Sequence, residues 1–376
     1  MADTGGYRNP RNRAGWRHLG LFWLAVLTLT AAGAGTVQWL GPPVGIKRTA
    51  PPRQASIPLP VQTAAHIAEP PILIARAQSA IQPVVGRDTP GPVADPDPAL
   101  LEPVSEGSPE NLPRIASDGR TSMQVYAAGF DHSSRRPRVG LLLAGIGLNE
   151  AESAVAIRTL PGAVSLAISP YAVNLSKLLA IARTTGHEYL IAVPLEPAGF
   201  PLNDPGPSTL LTSLPSATNV RNLDWALSRV DGFVGATGVI GTMRGERLAA
   251  MTDQMDAVLS ELSARGLLYV DPREARTPKG TSVAKTWGRH VEVVIDAPPD
   301  QDEADRAVID AKLAELEQQA KDNGAALGLV MRPTPVSVAR IAAWSNGLTD
   351  RGLALAPASA LALPPVDGAV KLSERE

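Results

Sequence analysis

Asp271 and Asp296 close two apolar runs of strand length, and Glu196, Arg244, Arg273 and Arg332 follow such runs closely. A carboxylate at the end of a buried strand can serve as a general base. An arginine offers a planar fork that grips a carboxylate or phosphate through two hydrogen bonds. Three arginines around one cleft would suit an acidic glycan or an acidic protein segment. Asp271 is therefore the candidate catalytic residue, and Glu196, Arg244, Arg273, Asp296 and Arg332 are candidate ligand-binding residues. The plainer alternative is solvated loop arginines, with Arg273 paired to Asp271.

Other chemistries are poorly served. The chain has no cysteine, which excludes disulfides, thiol nucleophiles and thiolate metal sites. There is no Gly-x-Ser-x-Gly elbow. Gly145-Ile-Gly147 hints at a phosphate loop, but no third glycine or Lys-Ser/Thr follows at the required spacing. Of five histidines, His18, His66 and His132 precede the strand-helix region. His187 and His290 stand where strands begin, at the end of the sheet opposite the expected site, so a metal held between them is not expected. A net charge of −2 argues against a nucleic-acid partner.

Apolar runs and helical patterns alternate from Arg138 onward. Strands are expected at 139–144, 164–169, 189–193, 233–240, 267–271, 291–296, 326–331 and 353–356. Helices are expected at 150–159, 175–185, 219–230, 246–265, 302–323 and 336–349. Gly186, Gly266, Gly324 and Gly352 sit where left-handed helix caps belong. Strands apolar throughout and separated by helices imply a parallel sheet buried on both faces. Seven or eight such repeats suit a closed or nearly closed α/β barrel, with an open doubly wound sheet as the alternative. Either architecture puts function at the C-terminal ends of the strands.

Several strand-end segments share a pattern. Arg138 begins a strand that runs into Ala144-Gly145. Gly186-His187-Glu188 precedes Leu190-Ile-Ala-Val-Pro-Leu195. Gly235-Ala-Thr-Gly-Val-Ile-Gly241, Tyr269-Val-Asp271, Val294-Ile-Asp296, Asp302-Glu-Ala-Asp305 and Arg332-Pro-Thr-Pro335 follow in order. Over residues 138–363 this order resembles the divergent polysaccharide deacetylases, a branch of the metal-dependent carbohydrate deacetylases. The resemblance implies a distorted deacetylase-like barrel of seven or eight parallel strands. It also implies N- or O-deacetylation assisted by a divalent metal such as zinc. In that family the first strand ends in Asp-Asp, and histidines stand at the positions of Ala192, Val239, Arg332 and Thr334. None of the side chains at 144, 145, 192 or 239 carries a lone pair for a metal. The expectation is a domain with no metal cofactor, its hydrolase activity lost or strongly altered. It would act as a glycan- or protein-binding module. The alternative is a carbohydrate hydrolase with a rearranged, metal-free site around Asp271.

The N-terminal part belongs to a different physical class. Residues 19–40 carry no charged side chain. As a helix they span roughly 33 Å, enough for a bilayer core of about 30 Å. Arg8, Arg11, Arg13 and Arg17 precede them, which favours a cytoplasmic tail at 1–18 and an exported C-terminal domain. The expectation is a single-pass protein of the inner membrane with a periplasmic domain. Ala32-Gly33-Ala34 leaves a cleaved signal peptide as the alternative. Sixteen of the thirty-five prolines fall between Pro42 and Pro113, so 41–136 reads as a disordered linker. The domain is then 137–365, a fragment from about Arg136 should fold alone, and 366–376 is a tail.

Overall fold

The computed structural model describes residues 87–274, 283, 285–296 and 302–365, together with Trp23, Leu24 and Thr28. The expected anchor at 19–40, apart from those three residues, lies outside the described residues, as do 41–86 and the tail 366–376. Among the described residues no helix is long and apolar enough to cross a membrane. The chain divides into two units, Met1–Ala75 and Arg76–Glu376. The fold below belongs to the second.

A barrel of parallel strands forms its centre. The strands are β3 (Arg138–Ile146), β4 (Ser165–Ile168), β5 (Tyr189–Ala192), β6 (Gly235–Thr237), β7 (Leu268–Glu274), β8 (Gly288–Val291), β9 (Val293–Ile295) and β10 (Ala325–Val330). Their order is β8-β7-β6-β5-β4-β3-β10-β9, all neighbours parallel. The two ends of this path are separated in sequence only by Glu292. One broken strand therefore pairs with β7 through its first half and with β10 through its second, which brings the sheet's edges together. At the break, Arg289 and Glu292 form a buried ion pair at 2.7 Å. Glu292 also accepts from the Leu327 amide, and Arg289 donates to the Leu361 and Ala325 carbonyls. These bonds brace the point where the strand leaves one neighbour for the other, and the Glu292 amide already donates to the Leu327 carbonyl of β10.

Side-chain alternation separates two apolar layers. Val139, Leu141, Leu143, Leu166, Ile191 and Ala326 pack outward against the helices. Leu142, Ala144, Ala167, Leu190, Leu268, Val270, Leu327 and Leu329 fill the barrel. Burial on both faces is why these strands are apolar at every position. The main covering helices are α2 (Glu150–Thr159), α3 (Leu175–Thr184), α4 (Ser216–Leu227), α6 (Thr252–Ala264), α7 (Asp302–Asn323) and α8 (Pro335–Asn346). The single helix expected over 246–265 is broken at Met251 into the short α5 (Glu246–Ala249) and α6. All four expected cap glycines have positive φ. A last short strand, β11 (Ala354–Leu355), pairs with the start of β3.

The linker boundary at Arg136 needs correction. Residues 87–136 are built into the fold from Arg87 on, whose carbonyl accepts from the Phe130 amide. They carry a hairpin of β1 (Leu101–Pro103) and β2 (Asn111–Pro113) and the short helix α1 (Ser122–Val125). Val93, Leu100, Met123, Tyr126 and Phe130 join the barrel's inner core, together with Ala356, Ala358 and Leu361 from the C-terminal helix α9 (Ala358–Leu361) and its approach. The two segments together plug the N-terminal end of the barrel. Proline density misleads here because the prolines occupy permissive positions. Pro98 opens a short 3-10 helix, and Pro103 and Pro113 end the strands of a two-stranded hairpin.

Candidate functional site

The β3 turn holds the site's most distinctive backbone. Gly145 and Gly147 have φ of +79° and +91°, and a Cβ on Gly147 would lie 2.5 Å from the Ala172 Cβ. Glycine is required there by conformation and by contact with the neighbouring loop. Gly147→Ala is expected to cost about 2–4 kcal/mol, from left-handed strain plus overpacking. Urea unfolding measures this, and an unchanged midpoint would contradict it.

Ala144 is fully buried in the barrel, Val239 lies in the same inner cluster, and Ala192, two residues after Leu190 on the same strand face, is also buried. None of the three can coordinate a metal. Arg332 and Thr334 add a cation and a hydroxyl, and the Thr334 hydroxyl caps α8 by accepting from the Ser337 amide. Among the described residues no three His, Cys, Asp or Glu side chains gather into a metal-holding group. The donor set at these strand ends does not fit a divalent metal.

The remaining polar residues form separate ion pairs. Asp271 is only 2% exposed. Its carboxylate accepts from the Arg273 amide at 3.0 Å and from the Arg273 Nε at 2.9 Å, and it is bridged by Arg273 Nη2. Those bonds hold the Arg273 guanidinium still more firmly charged than usual. Arg273 Nη1 also donates to the Ala249 carbonyl at the end of α5. Leu268 and Val270 point into the barrel, whereas Tyr269 packs in the outer layer. By alternation Asp271 follows Tyr269, toward the helices and away from the mouth. Burial and the Asp271 charge push the Tyr269 phenol well above its usual pKa.

His290 was expected at the wrong end of the barrel, and the structure corrects this. β8 is displaced along β7, so that His290 is the register partner of Asp271. Its Nδ1 lies 3.3 Å from Asp271 Oδ2, and its side chain is 22% exposed. Only the offset of β8 reveals this pairing, and the sequence carries no signal for an offset. His187 behaves as a structural residue. It is fully buried, with Nδ1 and Nε2 facing the Val164 and Ile157 carbonyls at 2.8 and 3.0 Å. Burial lowers its pKa while the two carbonyls work against that shift.

Asp296 pairs with Arg332 at 3.1 Å, and Arg244 with Glu246 at 3.5 Å. Glu196 is buried and acts as a clasp: it pairs with Arg247 at 3.0 Å and accepts from the Thr212 amide. Its own carbonyl accepts from the Arg247 and Leu248 amides. Each candidate arginine thus has its own carboxylate, and an acidic ligand would have to displace it. A cavity of about 430 Å³ lies at the opposite, N-terminal end, where Pro90 and Gly91 cross Gly162 and Gly186. It holds none of the strand-end candidates.

A family model described as divergent polysaccharide deacetylase matches residues 141–362, more than half of the chain. The chain belongs to that family. The divergent deacetylase barrel is also similar to a solved structure of an uncharacterized protein from Agrobacterium tumefaciens. That protein is 30% identical, with a TM-score of 0.58, and the match covers 67% of this chain and 99% of the other. A weaker similarity links it to the catalytic domain of a peptidoglycan N-acetylglucosamine deacetylase from Eubacterium rectale. There the identity is 11% and the TM-score 0.36, over 59% of this chain and 88% of that one. No curated protein matches the chain. The parallel, nearly closed α/β barrel is the architecture the family resemblance implies.

Proposed function

We propose that this divergent deacetylase domain is non-catalytic and works as a binding module for a glycan or a protein of the cell envelope. The observation that carries the reading is the filling of the strand ends: Ala144, Ala192 and Val239, at positions where the family resemblance places metal ligands, are buried apolar side chains. Deacetylation in the family needs a Lewis acid to polarise the acyl carbonyl and to acidify a water. Among the described residues no set of side chains at this end of the barrel supplies a seat for one. Asp271 is a poor substitute as base, because Arg273 and His290 occupy its carboxylate.

A second reading, a metal-free hydrolase around Asp271, draws support from one observation. Asp271 holds His290 by Nδ1 on a partly exposed ring, an arrangement that can orient an imidazole for proton transfer. The outward placement of the pair, away from the barrel mouth, favours the first reading.

The module reading includes a membrane tether. Residues 19–40 would remain as an anchor, with the domain in the periplasm. A reporter that works only outside the cytoplasm, fused after Glu376, is expected to be active. A fusion active only as a cytoplasmic reporter would contradict the tether, and an N-terminus beginning near Gly35 would show cleavage instead.

A further inference from the structure

The cavity of about 430 Å³ at the N-terminal end of the barrel plays no part in the strand-end site. One of its walls is a free sheet edge. The Ala354 amide donates to the Pro137 carbonyl at 3.0 Å and the Ala356 amide to the Val139 carbonyl at 2.9 Å, which ties β11 to β3. Leu355, between them, turns its own N–H and C=O away from β3. β11 has no second strand beside it, and among the described residues neither Leu355 group has a partner. Such an edge is a template for another extended chain, and Leu355 lines the cavity. Further lining is main chain packed on main chain: a Cβ on Gly162 would lie 2.6 Å from the Thr185 carbonyl oxygen, and one on Gly186 2.9 Å from that of Gly91. Two charged side chains line the cavity, Asp131 and Arg136. Asp131 Oδ1 accepts from the Ser133 hydroxyl at 2.6 Å and the Ser133 amide at 3.0 Å, which holds the carboxyl below its ordinary pKa. Among the described residues the second Asp131 oxygen and the exposed Arg136 guanidinium form no hydrogen bond or ion pair. The charged residues flanking the lining in sequence, Arg87, Asp88, Arg135 and Asp350, add both signs equally.

We propose that this cavity binds a short peptide with free ends, its main chain paired with Leu355, its carboxylate on Arg136 and its ammonium on Asp131. The inference goes beyond the binding-module reading and does not depend on what the strand ends do. Four observations choose the ligand class. A main-chain donor and acceptor side by side match an extended peptide, and an arginine at the same site suits a terminal carboxylate. One lining cation and one lining anion, in balanced surroundings, match a zwitterion better than a phosphate or an acidic glycan. Helices α2 and α3 end here, at Thr159 and Thr184, just before the lining residues Pro161 and Thr185. Helix C-terminal ends carry partial negative charge, which favours an ammonium and opposes a phosphate. Sugar stacking has no platform: Phe130, the one aromatic ring in the lining, is 5% exposed, and the Arg138 guanidinium lies over it at 5.0 Å. The volume falls in the usual range of small-ligand sites, roughly 300–1,000 Å³.

The test titrates the full-length protein by calorimetry with trialanine, triglycine and trileucine, each with free ends. At least one is expected to bind saturably at a single site. Amidating its carboxyl group should weaken binding about tenfold, as should Arg136→Ala, each removing one charge-assisted contact. The two changes together should cost no more than either alone. Acetylating the amine and Asp131→Asn should behave as a second such pair. Lys177→Ala, an exposed change near the start of α3, should leave binding unaltered, and Arg136→Ala should keep the native melting temperature. No saturable binding by any of the three peptides would overturn the site. Binding that amidation and Arg136→Ala both leave unchanged would overturn it as well. Arg136-dependent binding of tri-N-acetylglucosamine or inorganic phosphate in place of the peptides would overturn the ligand class. Each of these results leaves the strand-end reading standing, because zinc content and acetate release test that reading separately.

Discussion

A fragment beginning at Arg136 is expected to fail to fold, whereas one beginning at Arg87 should give a cooperative domain. The shorter fragment loses Val93, Leu100, Met123 and Phe130, all buried against the barrel's inner core. Burying such a side chain is worth about 1.5–3 kcal/mol, so the four together contribute roughly 6–12 kcal/mol as an upper estimate. That is comparable with the whole stability of a domain, about 5–15 kcal/mol. The loss also uncaps Leu190, Leu268 and Leu327 inside the barrel, which would then meet water or another chain. Circular dichroism and thermal melting of the two fragments measure the difference. A well-folded fragment from Arg136 with an equal melting temperature would show that the N-terminal plug is dispensable.

Glu188 should prove the most sensitive single side chain at that end. It is fully buried and its carboxylate accepts four hydrogen bonds, and among the described residues it forms no ion pair. Oε1 takes the Ser165 hydroxyl at 2.7 Å and the Ser359 amide at 3.0 Å. Oε2 takes the Ala128 amide at 2.9 Å and the Ser359 hydroxyl at 2.5 Å. The N-terminal plug, β4 and α9 are thereby tied to one residue. Glu188→Ala strands two backbone amides and two hydroxyls in the core. At about 1–3 kcal/mol for each unsatisfied group, the loss should reach at least about 3 kcal/mol even after partial relaxation. Glu188→Gln is expected to be nearly as harmful despite its shape. Both oxygens face a backbone amide, and the Gln amide nitrogen must point its hydrogens at one of them. A melting temperature for Glu188→Gln within a degree of the native protein would contradict this account.

The barrel was legible in the sequence because a parallel sheet covered on both faces writes itself as uninterrupted apolar runs. β3, β10, α2 and α7 fall within two residues of their expected limits. The plug was not legible. Its apolar residues, such as Leu100, Tyr126 and Phe130, are spread among prolines without period, and only the open end of the barrel gives them a partner. At the site, the absence of ligands at 144, 192 and 239 could be read directly, as could the Asp271–Arg273 pair given as the plain alternative. The Asp271–His290 contact depends on the offset between β7 and β8. Glu292, a buried acid in the middle of an apolar run, marks the break where that strand changes neighbours. Glu196 reads in the sequence as a ligand-binding candidate, but its clasp role needs Thr212 from a later loop and Arg247 from α5.

The most direct test of the account is zinc content and acetate release measured together on the purified protein. The preparation should first be loaded with zinc and then desalted. The substrates are chito-oligosaccharides and peptidoglycan, assayed with and without chelator, and Asp271→Asn is assayed alongside the native protein. The account predicts well under one zinc per chain and no acetate above the substrate blank from either protein. Stoichiometric zinc with chelator-sensitive acetate release would restore a metal-dependent deacetylase. Chelator-insensitive release abolished by Asp271→Asn would establish the hydrolase around Asp271 and His290 instead.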